Sequence, residues 1–385
     1  MYDASIDPAD DIPGRLVLPV RGPAVEPNAP RTSVMSGMIL IGLMLVITVG
    51  FVPQTQPQDN PSALPFSGTD MITVLDDSTE TTRQVPGRIE DITGETLTLR
   101  RGGRGTIEFF RVTDIVELTF SRSGDFEEGL HRLQQGQTRR ALEYLDRALK
   151  SETRPWAWNE LQAIAANAAV RVGERSQAVD RIDLISAQDR RTRHVSSLPL
   201  VWDSRLPPQE RLPENPAGLD SDSLVQQLAA ASAVLHNTAH RGRAKATLER
   251  LRRRSGLKRI SELAETQLWR LHLLEQPDTP SPVLNVWSDR VRHLPVAARY
   301  GPQYVVGRCL LQKHDHDRAS LAFLWTPLMT PHDRALAARS LAEGIRCLKL
   351  TGRQGEAAQL TAELKRRFHG TSAARNAVDE ADATK

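Results

Sequence analysis

Along residues 122–385 the apolar positions recur as if helices were laid side by side. Leu130 and Leu133 are followed by Gly136, and Leu142, Leu145 and Leu149 then resume the helical period. Gly136 stands where a left-handed cap ends a helix at low cost. The stretch from Phe126 to Leu149 therefore predicts two antiparallel helices. Gly129, Ala141 and Ala148 are small where the axes must approach to about 8–10 Å. The same glycine-then-alanine spacing returns at Gly173 and Ala178 and at Gly352 and Ala357, and His314 with Ala319 keeps it with histidine in the glycine's place. The alanines lie 37 residues apart in the first pair and 38 in the last. A period of this size marks an α-helical repeat array, a surface for holding other molecules rather than a compact catalytic core. An irregular helical bundle is the alternative, and both need neighbouring hairpins to bury a common apolar face.

Between Met71 and Phe120 the period changes to two. Ile72 and Val74, then Val85, Gly87 and Ile89, then Leu97 and Leu99, then Ile107 and Phe109 alternate with polar residues, and Ile115, Val116, Leu118 and Phe120 make a fifth strand. Gly94 and the Gly102-Gly103 pair supply tight turns. Five short strands suit a small closed antiparallel barrel, because closure removes exposed edges. An open five-stranded sheet is the rival. The pattern resembles an SH3-like or Sm-like module.

Val34 to Val52 is a third regime, 19 residues without a charge. As a helix it spans about 28 Å, close to the hydrocarbon thickness of a bilayer. Arg21 and Arg31 precede it, and no lysine or arginine appears from Pro53 to Thr82. The positive-inside rule then keeps the N-terminus in the cytoplasm and exports the rest. With no Ala-x-Ala site after the run, an uncleaved anchor is expected.

The helical spacing resembles the tetratricopeptide repeat. Gly129, Gly136, Ala141, Leu145, Ala148 and Leu149 fall at that family's signature positions, with Pro155 two residues late for the closing proline. Ala166, Gly173, Ala178 and Ile182 match in a second unit, Gly307, Ala319, Phe323 and Pro331 in a later one, and Gly352 and Ala357 in the last, where Ile345 replaces a small residue. The ending Lys365 to Thr371 is similar to envelope-type members, with His369 in place of a proline. The resemblance implies a mainly α fold, an α-solenoid of hairpins preceded by a transmembrane helix and the β-barrel-like module. It also implies a groove lined by the first helix of each hairpin. Carried onto this chain, the groove positions are Asn167 and Arg171, then Tyr304, Arg308 and Gln312, then Arg346 and Lys349. Arginine pairs carboxylates bidentately, so these positions suit a partner protein with an acidic segment, or are simply solvated.

The expected order is a disordered cytoplasmic stub (1–33), the membrane helix (34–52), a proline-rich spacer (53–68), the β module (69–121), repeats (122–189), a proline-rich insertion (190–221), degenerate hairpins (222–294), repeats (295–374) and a fraying tail (375–385). The insertion is either a loop packed by Trp202 or a flexible segment. The net charge of +3 divides as −2 over residues 1–33, −5 over 53–121 and +10 over 122–385. A basic helical part favours an acidic partner or an anionic surface. Cys309 and Cys347 hold equivalent repeat positions, about 8–10 Å apart, too far for a disulfide.

No phosphate-binding glycine loop, nucleophile elbow or His-Glu-x-x-His motif occurs. His236 and His240 share a helix face without a third ligand. In Lys313-His314-Asp315-His316-Asp317 an aspartate is expected to cap the next helix. The arginines around Arg252 carry no base-reading motif, so a nucleic-acid partner is not expected. No cofactor, metal or small-molecule substrate is expected either. The reading is a non-catalytic scaffold or adaptor, anchored in a bacterial inner membrane with its array in the periplasm. The alternatives are a chaperone-like or regulatory subunit presenting clients to an envelope enzyme, and an array facing the cytoplasm and binding anionic surfaces.

Overall fold

The computed structural model describes residues 16–17, 70–76, 81–102, 105–254, 256–276, 278–329 and 333–382. Apart from Leu16 and Val17, the stub, the apolar run 34–52 and the spacer lie outside the described residues, as do Gly103 and Pro331. Among the described residues no helix is long and apolar enough to cross a membrane. What is described is mainly helical, with one small antiparallel sheet before the helices.

The sheet runs β1 (Leu16–Val17), β6 (Ile115–Thr119), β2 (Asp70–Asp76), β3 (Thr81–Thr93), β4 (Thr96–Arg101) and β5 (Thr106–Arg111) in spatial order. The long β3 serves two partners. Its first half pairs with β2 and its second with β4, with a register shift between Ile89 and Asp91. Gly87 sits at the changeover, where a Cβ would come within 2.7 Å of Leu99 and 2.8 Å of the Arg100 carbonyl. Ile72, Val74, Val85, Ile89, Leu97, Leu99, Ile115, Leu118 and Phe120 are buried, as their alternation predicts.

Two expectations change. The sheet does not close among the described residues, because β5 pairs only with β4. The fourth strand also shows its other face. Leu97 lies opposite Phe110, which puts Phe110 in the core and leaves Ile107 and Phe109 45% and 71% exposed. A strand with apolar residues at 107, 109 and 110 carries both phases of a period-two pattern, and pairing register selects between them.

Among the described residues the helical pattern resolves into thirteen helices. They are α1 (Gly124–Gln134), α2 (Thr138–Ser151), α3 (Pro155–Val172), α4 (Arg175–Gln188), α5 (Leu224–Val234), α6 (Arg241–Arg252), α7 (Lys258–Glu275), α8 (Ser281–His293), α9 (Val296–Gln312), α10 (His316–Met329), α11 (Arg334–Leu350), α12 (Gln354–Arg367) and α13 (Ser372–Asp382). Residues 375–382, expected to fray, continue α13. Successive helices pack on one another, α7 meeting α8 through the stacked rings of Trp269 and Trp287, and α5 also touches α7, α7 touches α9 and α11 touches α13.

Four hairpins turn in the same way. Gly136, Gly173, His314 and Gly352 all take positive φ, at 72°, 90°, 59° and 77°. In each turn the following amide donates five residues back, Gln137 to Arg132, Glu174 to Ala169, Asp315 to Leu310 and Arg353 to Leu348, at 2.9–3.0 Å. This is the Schellman closure that satisfies orphan carbonyls at a helix end. The alanine five residues after each turn residue is 0–1% exposed. Gly129 faces Leu145 so closely that a Cβ would lie 2.8 Å from its side chain. Asp315 caps α10, its side chain accepting from the Arg318 amide at 3.3 Å. Cys309 and Cys347 are both free and buried, and burial pushes each thiol up to about 11.

The sheet is fastened to the first helices. The Phe120 ring meets Trp156 edge-on at 5.0 Å and Phe126 at 6.0 Å, with Arg154 over both Phe120 and Trp156. The β3–β4 turn reaches further, the Gly94 amide donating to Asp189 at 2.7 Å and Glu95 meeting Arg259 of α7. One apolar core therefore runs from the sheet into α9 and α10, and a second lies under α11 to α13.

Candidate functional site

The proline-rich insertion is not a loose loop. Its prolines exclude regular helix, and it forms short 3-10 turns at Arg193–Ser197, Pro208–Glu210 and Pro216–Asp220. Leu198, Leu200, Val201, Trp202, Leu206 and Leu212 are buried. The strap from Arg193 to Leu212 crosses the odd-numbered helices in succession. Arg193 and His194 bond Glu160 of α3 at 2.6 and 3.0 Å. The Val201 amide donates to Ser232 of α5 at 2.8 Å, and its carbonyl accepts from Arg270 of α7 at 2.7 Å. Trp202 lies flat against α9, where a Cβ on Gly301 would fall 1.9 Å from the indole. Glu210 finally accepts from the Ser372 amide and hydroxyl of α13, both at 2.6 Å.

Asp203 is the polar centre of this strap. It is 4% exposed and accepts from the Tyr304 hydroxyl, from Arg205 at 2.8 Å and from Arg339 at 3.3 Å, with Arg308 at 4.0 Å. Burial works against its charge, but Arg205 and the Tyr304 hydroxyl outweigh it and hold the carboxyl below its ordinary value. The same burial and the Asp203 charge push Tyr304 well above its ordinary range. Arg205 also bonds Tyr304 at 3.0 Å and the buried Glu343 of α11 at 2.9 Å. Arg270, fully enclosed, is lowered to about 10 by burial.

The expected groove positions separate accordingly. Tyr304 is sealed beneath the strap at 1% exposure. Asn167 and Arg171 lie half-buried on α3, away from the other candidates in sequence and in lining. Arg308, Gln312 and Arg346 meet in an open cleft of about 330 Å³, joined by Leu311, His314, His316 and Leu350. Lys349 is exposed beside it but does not line it. Arg308 has no acceptor for its buried Nε. Arg346 is 65% exposed and approaches Glu343 only at 4.0 Å. The cleft lining thus holds two arginines, two histidines and a glutamine between two leucines, with no carboxylate.

Sequence reasoning missed His314 and His316 as lining residues, because it read them as turn residues only. Nor did it single out Asp203, buried against Tyr304, Arg205 and Arg339. The signal was present in Leu198-Pro-Leu-Val-Trp, an apolar run too rich for a solvated insertion. His236 is engaged by Arg211 at 2.9 Å and Glu214 at 3.1 Å, and burial, then Arg211, lowers its pKa. Among the described residues no group of three His, Cys, Asp or Glu side chains converges as a metal site would require. Compared with family models, curated proteins and solved structures, the chain has no significant match.

Proposed function

We propose that this chain is a non-catalytic interaction protein, a tetratricopeptide-like α-solenoid that binds a partner protein through an acidic or carboxylate-bearing segment. The observation that carries the proposal is the cleft of Arg308, Gln312 and Arg346. Carboxylate recognition already has an internal example 4.0 Å from Arg308, where Asp203 is taken by the same layer of helices. Two guanidinium groups with donors to spare suit a second carboxylate, and Leu311 and Leu350 give an apolar side chain somewhere to rest. The four matching hairpin turns support the repeat architecture. The sheet serves as the array's N-terminal cap, covering the apolar faces of Phe126 and Trp156 that a terminal repeat would otherwise expose.

The proposal keeps Val34–Val52 as a membrane anchor, with the array in the periplasm. One structural feature opposes it. Leu16 and Val17 pair with Leu118 and Glu117 of β6, and a single crossing between 34 and 52 would put those strands on opposite sides of the bilayer. Anchoring therefore requires that β1 leave the sheet. Export reporters fused after Lys385 and before Met1 settle the matter. Opposite compartments support the anchor, and the same compartment refutes a single crossing.

Partner binding is tested by a photo-crosslinking residue at Gln312. One or two dominant adducts that vanish with Arg346→Glu support the cleft. Adducts that persist unchanged in Arg308→Glu and Arg346→Glu refute it. A chaperone-like subunit is the second reading, favoured by the open cleft, and it predicts many weak adducts instead.

A further inference from the structure

The outer face of α10 carries an apolar stripe. Leu321, Trp325 and Leu328 are 65%, 43% and 71% exposed, and their spacing of four and three places them on one side of the helix. The opposite side is committed to the core through Ala319, Ala322 and Phe323. An apolar row on a solvated helix face is unusual enough to need an occupant.

Charge gathers at one end of the row. Arg367 donates to the Pro327 carbonyl at 3.0 Å, which sets its guanidinium beside the end of the stripe, and Arg334 donates to the Arg367 carbonyl at 2.8 Å. Lys365 and Arg366 occupy the same last turn of α12, and Arg366 is exposed. Burial and then the nearby Arg367 charge lower the Arg334 pKa, a sign of crowded cations. Glu363, paired with Arg367 at 3.1 Å, offsets one of these four charges.

A tryptophan among leucines, ending in a cluster of cations, is the composition that seats a helix in a bilayer interface. The indole prefers headgroup depth, the leucines reach the acyl boundary, and lysine and arginine pair with anionic headgroups. We propose that the α10 stripe docks the helical array onto the surface of an anionic phospholipid bilayer. The position of Val34–Val52 argues for lipid over a protein occupant. Only the 17 residues 53–69 separate this apolar run from the sheet, a reach of about 56 Å when fully extended, so an anchored chain keeps its helices beside a bilayer. This tether argument rests on the anchor reading, whereas the stripe and its cations do not.

The test uses the full chain reconstituted into vesicles, with an environment-sensitive fluorophore on one introduced cysteine. Cys309 and Cys347 are buried, so they are expected to react poorly under native conditions. Three positions are compared: Leu328→Cys in the stripe, Leu184→Cys as an exposed control on α4, and Ile41→Cys in the apolar run. In vesicles rich in phosphatidylglycerol, the label at 328 is expected to shift to the blue. An aqueous quencher should reach it at least about twofold less than the label at 184. Lys365→Glu with Arg366→Glu, or vesicles of phosphatidylcholine alone, should abolish that protection. Equal quenching at 328 and 184 overturns the proposal. Protection at 328 that is indifferent to lipid charge also overturns it. The label at 41 reports the anchor independently, so failure of the stripe and failure of the anchor give different patterns.

Discussion

Replacing Gly301 with alanine probes the seat of the strap. A Cβ built there falls 1.9, 2.2 and 2.3 Å from three atoms of the Trp202 indole, where carbon atoms in contact prefer about 3.5–4.0 Å. The ring must therefore move by more than about 1 Å, and it has little room, being 4% exposed and edge-on to Tyr300 at 6.4 Å. Overpacking of this degree belongs at the upper end of the usual range, about 3 kcal/mol. Alanine regains about 1 kcal/mol over glycine inside a helix. The expected net loss is thus about 2 kcal/mol, read from urea denaturation of the full chain in mild detergent by far-ultraviolet circular dichroism. Trp202→Ala alone should cost about 3–5 kcal/mol. In that background Gly301→Ala no longer meets a ring and should stabilise by up to about 1 kcal/mol, giving a coupling of about 3 kcal/mol across the cycle. If Gly301→Ala stabilises both backgrounds equally, the indole does not rest on α9 and the account of the groove fails.

Other perturbations test separate parts. His314 takes the left-handed conformation that Gly136, Gly173 and Gly352 take in equivalent turns, so His314→Gly should stabilise by about 0.5–1 kcal/mol in the same denaturation assay. Phe110→Ala should cost about 3 kcal/mol and Phe109→Ala less than about 0.5 kcal/mol, and the reverse order would mean the strand is paired one residue out of register. Burial opposes the Glu160 charge, but Arg193 and His194 outweigh it and hold its pKa at about 2 against 4.5 when unfolded. A depressed carboxylate contributes stability that is full above the unfolded value and is lost as pH falls through the folded one. Denaturation should therefore show about 2 kcal/mol lost between about pH 5 and pH 3, a slope that Glu160→Gln removes.

The hairpin turns were legible because they rest on local rules. A left-handed cap and a small residue one turn into the next helix leave a mark in any single sequence, and His314 shows that the spacing survives even where the glycine does not. The strand positions were legible for the same reason, except at 107–110, where two adjacent phenylalanines carry both phases and only the partner strand decides. The groove positions were carried over from a resemblance, and of these Tyr304 lies buried beneath the strap. No local rule says that Val201 will find Ser232 or that Asp203 will find Tyr304, since these contacts join residues 31 and 101 positions apart. What remains of the expected groove is its open end, Arg308, Gln312 and Arg346, and the two histidines beside it were hidden by their second role as turn residues.

The central claim is that the chain's own strap packs across α3, α5, α7 and α9, and that among the described residues the cleft at Arg308 and Arg346 stays open beside it. Amide hydrogen exchange over residues 193–212 tests it most directly. The account predicts that the amides of Leu198, Val201 and Leu206 exchange as slowly as those of α7 and α9, because their donors are bonded and their side chains buried. Exchange at the rate of an unstructured peptide would contradict it and reopen the whole groove to a partner.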